Sequence, residues 1–228
     1  MRLAVFGASD TGRVRAGNED QFHAGTTLLA VADGLGGHAA GEVASALAIE
    51  AIAELDGRSF PTPELAGQAL VEAVAAAHRS VARAAASEPA WWGMGTTLTA
   101  LLLEGDRAHL AHVGDSRGYL LRGGGALRQL THDHTVEPGG ALTQAIGLGR
   151  VLRVEVPDPL SLVAGDQVLL CSDGLTGVVD DDQIAELLTS HARPEPACMA
   201  LIDAANAAGG PDNITVVLLR ADPPEAPV

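Results

Sequence analysis

Long apolar runs are missing. Nowhere in the 228 residues does a hydrophobic stretch approach the roughly 18 residues of a membrane span, so no membrane partner is expected. The opening MRLAVFGASD is too short for a signal-peptide core and meets polar Ser9 and Asp10 at once, so it reads as a first strand. Cysteine is scarce. The two present, Cys171 and Cys198, are far apart and read as buried free thiols of a reducing compartment, which points to the cytoplasm. Basic residues are few as well, 14 against 29 acidic, for a formal charge of −15. Displacing counterions from a nucleic acid takes a basic surface, and none is visible, so nucleic-acid binding is excluded. Internal repeats, long low-complexity segments and interdomain linkers are absent too. With 47% hydrophobic residues, one domain over 1–222 and a frayed Pro-rich tail over 223–228 are expected.

The Ala-rich stretches 39–54 and 66–87 are periodic and read as helices. Val43, Leu47, Ala51 and Leu55 fall on one helical face, and Leu70, Val74, Ala77 and Val81 on another, with Pro61 and Pro63 breaking the chain between them. Two more helices are expected at 181–190 and 195–207. Strand-like runs occur at 3–7, 27–32, 97–103, 108–113, 117–121, 167–172 and 214–219. Hairpins are expected where 20–25 turns into 27–32 and where 97–103 turns at Glu104-Gly105-Asp106 into 107–113. Antiparallel strands with helices grouped before and after them predict an α+β layered sandwich.

The positions of the acids carry the chemistry. Asp33, Asp115 and Asp173 each end an apolar run, whereas Asp20 and Asp212 each precede one. In an antiparallel sheet the end of one strand lies beside the start of its neighbour, so five aspartates gather along one rim. Carboxylates that close repel unless cations neutralise them, and oxygen ligands suit Mg²⁺ and Mn²⁺. Gly34, after Asp33, would let a backbone oxygen approach a metal.

Seven segments in order then resemble the metal-dependent serine/threonine protein phosphatases of type 2C, in their bacterial single-domain form. They are SDTGRVRAGNEDQF (9–22), VADGLGGHAAGEVAS (31–45), GTTLTALLL (95–103), HVGDSRGYLLR (112–122), LTHDHT (130–135), LLCSDGLTGVV (169–179) and PDNITVVLL (211–219). The resemblance implies a four-layer αββα sandwich, two antiparallel sheets flanked by helix pairs. It implies two Mn²⁺ or Mg²⁺ ions, with Asp33 bridging them, the Gly34 carbonyl on one, and Asp173 and Asp212 on the other. Asp115 with Asp173 matches a weaker third metal, and Arg15 the residue that grips the substrate phosphate. Glu19, Asp20 and Asn213 would hold metal-associated waters or support the ligands, and His38 sits close behind them. Two metals lower the pKa of a water and neutralise phosphoryl oxygens, and Arg offers phosphate a planar, permanently charged fork. The implied reaction is hydrolysis of phosphoserine and phosphothreonine in proteins modified by a serine/threonine kinase, by a cytoplasmic monomer. The alternatives are a small-molecule phosphatase and a catalytically weak regulatory module on the same fold.

The resemblance has departures. A histidine follows the Asp-Gly pair in some members and protonates the leaving group. Here Leu35 stands there, leaving the general acid unassigned; His38 is read as a helix-start or supporting residue. His132 and His134 are read as part of a motif near the substrate entrance rather than as a metal site. Gly95-Thr96-Thr97 reads as a strand start near the rim, and Trp91-Trp92 as either an exposed docking patch or a packed loop. Between Asp133 and Gly147, where relatives carry a long flap, this chain has only HTVEPGGALTQAI. A turn is expected at Pro138-Gly139-Gly140, one helical turn over 141–146, and an open catalytic face with loosened substrate selection.

Overall fold

The computed structural model describes residues 1–35, 40–123, 125–137 and 140–224. Its alternating side chains explain why so many segments read as unbroken apolar runs. Strand β3 (Leu28–Ala32) sends Leu28, Ala30 and Ala32 to one side and Leu29 and Val31 to the other, and both sides are buried. Strand β11 (Gln167–Cys171) likewise divides Leu169 and Cys171 from Val168 and Leu170. A strand covered on both faces has no polar side to show.

Those strands belong to two five-stranded antiparallel sheets. One has the order β1 (Arg2–Asp10), β12 (Ile214–Asp222), β11, β8 (Arg117–Leu121), β9 (Leu127–Gln129). The other runs β10 (Leu160–Ser161), β7 (Arg107–Val113), β6 (Leu98–Glu104), β3, β2 (Gln21–Ala24). A short ladder pairs β4 (Gly34–Leu35) with β5 (Gly95–Thr96). Leu29, Val31, Leu101, Leu110, Leu170 and Val217 fill the space between the sheets. Helices α1 (Gly41–Ala53) and α2 (Pro63–Ser87) cover the outer face of the second sheet, and α4 (Asp181–Ser190) and α5 (Pro194–Ala207) cover that of the first. The αββα order expected from the sequence is therefore present, with both hairpins in place. Both cysteines are free and buried. Among the described residues no helix is long and apolar enough to cross a membrane.

Three expectations need correction. The face of α1 turned to the sheet is Gly41, Ala44, Ser45, Ala48 and Ile52, not the line through Val43, Leu47 and Ala51, which are only partly buried. Small residues let α1 lie close to the sheet, and Leu47 and Ala51 line the cleft against α2, beside Ala76 and Ser80. Pro63 does not break α2 but begins it. Its missing N–H costs nothing in the first turn, and Thr62 caps the helix by accepting from the Leu65 N–H at 3.4 Å. Residues 141–146 form no helical turn; Leu142 bridges Thr135 and Ile146 bridges Thr96, so the segment is extended and pinned at two points. Trp92 is 84% exposed, while Trp91 packs partly against the helix-side core. The expected turn at Pro138-Gly139 and residues 225–228 of the tail lie outside the described residues.

Candidate metal centre

Register brings the acids together. Gln21 pairs with Ala32, so Asp20 and Asp33 lie side by side just beyond that pair. On the other sheet Cys171 pairs with Val216 and the Ser172 N–H donates to Thr215 O at 3.0 Å, which sets Asp173 beside the Asp212 loop. Asp115 lies where the chain crosses from β7 to β8 and so passes between the sheets. Arg15, Glu19, Asp33, Gly34, Asp115, Asp173, Asp212 and Asn213 line one hollow of about 420 Å³. Asp20 lies behind it, 3% exposed.

The loops are held by Thr96, Thr97 and Asn213, through bonds that the sequence did not reveal. Thr97 Oγ1 accepts from the Asp33 N–H at 2.9 Å, the Thr97 N–H donates to Asp33 O at 2.9 Å, and Thr96 Oγ1 donates to the same carbonyl at 2.8 Å. The Gly95-Thr96-Thr97 strand start is thus a clamp on the backbone of Asp33. Asn213 fixes the loop that carries Arg15 and Glu19. Its Oδ1 accepts from the Glu19 N–H at 2.9 Å, and its Nδ2 donates to Thr11 O and Gly17 O, both at 2.9 Å. Only glycine fits at position 34, because a Cβ there would collide with Gly41 O and Glu19 O. Polar residues at the starts of apolar strands were the available signal for the clamp; nothing local marks the reach of Asn213.

Electrostatics show what the rim lacks. Burial, followed by Asp20, Asp173, Asp115 and Asp212, pushes the Asp33 carboxyl well above the ordinary range. Burial, opposed by bonds from Thr215 and Ser172, pushes Asp20 up to about 6. Burial and then Asp173 push Asp115 up to about 6. Asp173 is raised by burial and then Asp212, with a hydrogen bond from Asp33 opposing the rise. Glu19 is raised by burial and then Glu42. Asp20 Oδ2 accepts from the Ser172 hydroxyl at 2.8 Å, but its Oδ1 is buried without a partner among the described residues. Arg15 supplies one positive charge, on Asp212 Oδ2 at 2.6 Å. An all-oxygen donor set with surplus negative charge and an orphaned buried carboxylate oxygen fits hard divalent cations.

Among the described residues, the one trio whose ligand atoms all lie within 4.8 Å of one another is His112, His134 and Glu155, not three of the rim acids. Asp33 hydrogen-bonds Asp173, while Asp212 is drawn onto Arg15. The histidine trio has other work. Nε2 of buried His112 faces Gly114 O at 3.0 Å and His132 O at 3.2 Å, and its Nδ1 lies 2.8 Å from Thr99 Oγ1, so both ring nitrogens are used. Burial and then His134 pull its pKa down to about 4. His134 Nδ1 accepts from the Gly114 N–H at 3.2 Å. Exposed His132 lies 2.6 Å from Glu155 Oε1. These contacts tie the 132–134 segment to the sheet. Arg117 holds Asp133 with both Nε and Nη2, at 2.9 and 2.7 Å, and braces the same segment. His38 lies outside the described residues, and among those described no imidazole lines the acidic hollow.

The protein phosphatase 2C family model matches residues 13–200. The serine/threonine protein phosphatase PstP of Mycobacterium tuberculosis is 46% identical over 228 residues, covering 92% of this chain but 43% of that protein. This chain therefore spans less than half the length of that relative. The serine/threonine phosphatase stp of Listeria monocytogenes is 34% identical over 242 residues, covering 94% of both. A crystal structure of the PstP catalytic domain in complex with 2 manganese ions superposes with a TM-score of 0.87 at 44% identity, covering 97% of this chain and 99% of that one.

Proposed function

Since this chain belongs to the protein phosphatase 2C family, we propose that it hydrolyses phosphoserine and phosphothreonine in proteins, using two Mn²⁺ or Mg²⁺ ions, with residues 1–222 as the catalytic unit. The observation that carries this reading is the convergence of Asp33, Asp115, Asp173 and Asp212 with Arg15 on one hollow, where burial and then neighbouring carboxylates push Asp33, Asp115 and Asp173 up. Asp33 and the Gly34 carbonyl would hold one cation, Asp33, Asp173 and Asp212 the other, and Asp115 with Asp173 a weaker third. Bound there, divalent cations acidify water and neutralise phosphoryl oxygens.

The chain's own residues do the rest. Arg15 offers the phosphoryl group a bidentate, permanently charged fork at the mouth of the hollow. Thr96 and Thr97 fix the Asp33 backbone, so its carboxyl meets the reaction already placed. Asp20, behind the rim, offers an unpaired oxygen to ordered water. Kinase-modified proteins are the substrates. A small-molecule phosphatase is the second reading, favoured by how little of the 134–146 connection lines the hollow: Gly140 and Leu142.

The test is chelation and add-back on phosphothreonine and phosphoserine peptides and on phosphorylated metabolites. Turnover should vanish with chelator and return with Mn²⁺ or Mg²⁺. Asp33→Ala should stay folded and lose at least a thousandfold in kcat, an effect on the order of 4 kcal/mol. Peptide turnover that ignores chelation, or full activity in Asp33→Ala, would sink the metal assignment. Metabolites hydrolysed to the exclusion of peptides would favour the second reading.

A further inference from the structure

The acidic hollow does not end at its acids. Leu142 forms part of its wall and also part of the wall of a second, smaller hollow of about 140 Å³, lined by Thr143, Gln144, Ala145, Leu148 and Val151. A cavity near this volume takes one benzene-sized apolar group. Its aliphatic lining is open to solvent, with Leu148 38% and Val151 72% exposed. Its walls are fixed. Ile146 is buried and exchanges backbone hydrogen bonds with Thr96, on the clamp that holds Asp33. The Gly147 N–H donates to His78 Nδ1 on α2 at 3.1 Å, Gln144 Oε1 accepts from the Arg153 N–H at 3.1 Å, and Leu148 packs on Gly95. Exposed Arg150 stands in the chain between two lining residues, Gly149 and Val151, and forms no ion pair among the described residues.

We infer that this second hollow is a specificity site for an aliphatic side chain of the substrate polypeptide, a few residues from the phosphorylated one. Single exposed apolar residues are ordinary, but a preformed apolar hollow sharing a wall with the catalytic pocket is what a binding subsite looks like. A side chain two to four residues along an extended peptide lies about 7–14 Å from the phosphoresidue, the reach of a neighbouring hollow. The occupant is a peptide segment because the hollow shares the Leu142 wall with the pocket where the phosphoresidue would lie. The inference rests on the protein-phosphatase reading, and its test separates the two.

The probes are phosphothreonine peptides in which leucine replaces serine at one flanking position at a time, compared with p-nitrophenyl phosphate, which is too small to span both hollows. The wild-type chain should show one position where leucine raises kcat/KM about tenfold. Val151→Asp should abolish that preference and leave turnover of p-nitrophenyl phosphate unchanged; Val151→Ile should keep it. Equal kcat/KM across the peptide series in the wild type would overturn the site, as would a preference that survives Val151→Asp. If no phosphate ester is turned over with Mn²⁺, the proposed function fails; if esters are hydrolysed without preference, the subsite alone fails.

Discussion

Arg15 sits in a field of carboxylates and holds the one on Asp212 at 2.6 Å. The contact is half-exposed, so it contributes little to folding, while the guanidinium stays at the mouth of the pocket. Arg15→Ala should raise KM for phosphopeptides about tenfold or more with a smaller change in kcat, and Arg15→Lys should recover only part of it, because an ammonium lacks the fork. Steady-state kinetics with melting curves for both variants would check this; an unchanged KM contradicts it. At this scale the acids were legible, because each stands where an apolar run begins or ends. Their support was legible only in part. Asn213 was expected from the resemblance alone, because it holds residues about 200 positions away and such a partnership leaves no local trace. The Thr96-Thr97 clamp was visible as residues but not as a function, because only the fold shows Asp33 lying beneath it.

Among elements, the join between α1 and the β2–β3 hairpin depends on Asp56. Its carboxylate accepts from the backbone N–H groups of Thr26, Thr27 and Leu28 at 3.3, 2.8 and 3.1 Å, with His23 Nε2 3.4 Å away. Although burial opposes ionisation, these bonds hold the Asp56 carboxyl well below the ordinary carboxylate range. A depressed folded pKa stabilises fully above the unfolded value near 4 and is lost as pH falls through the folded one. Asp56→Ala should therefore cost about 1–3 kcal/mol at pH 7, and the gap to wild type should narrow below pH 3; denaturant titrations at the two pH values measure it. Long periodic elements were legible: α2, α4, α5 and both hairpins lie close to where the pattern put them. The sequence reading went wrong where packing decides. The sheet-facing side of α1 is set by which residues are small, and 141–146 is extended because two bridges pin it. Pairs as short as β4–β5 or β10 carry no periodicity to find.

Over the whole molecule, the rim concentrates part of the −15 charge in one partly buried hollow. Burial holds Asp20 and Asp115 at about 6, and burial with the neighbouring aspartates holds Asp33 well above the ordinary range. Carboxyls raised on folding favour the folded state below their unfolded pKa near 4 and lose that contribution as pH rises through about 6. Metal-stripped protein should therefore melt higher at pH 5 than at pH 7.5, by about 5 °C or more. Saturating Mn²⁺ should stabilise most at the higher pH, where the ligands are ionised. Scanning calorimetry with chelator and with metal at the two pH values tests both; a chelated protein that melts lower at pH 5 refutes the first. The layer order was legible because two-faced strands leave unbroken apolar runs, and the pattern of helices before and after them did the rest.

Asp20, Asp33 and Asp115 hang from one sheet, and Asp173 and Asp212 from the other. Ions seated among them act as rivets through the open edge of the sandwich. Breathing at that edge would then separate the halves of the catalyst, so activity would fade while most of the fold still stands, and bound metal would delay that first opening.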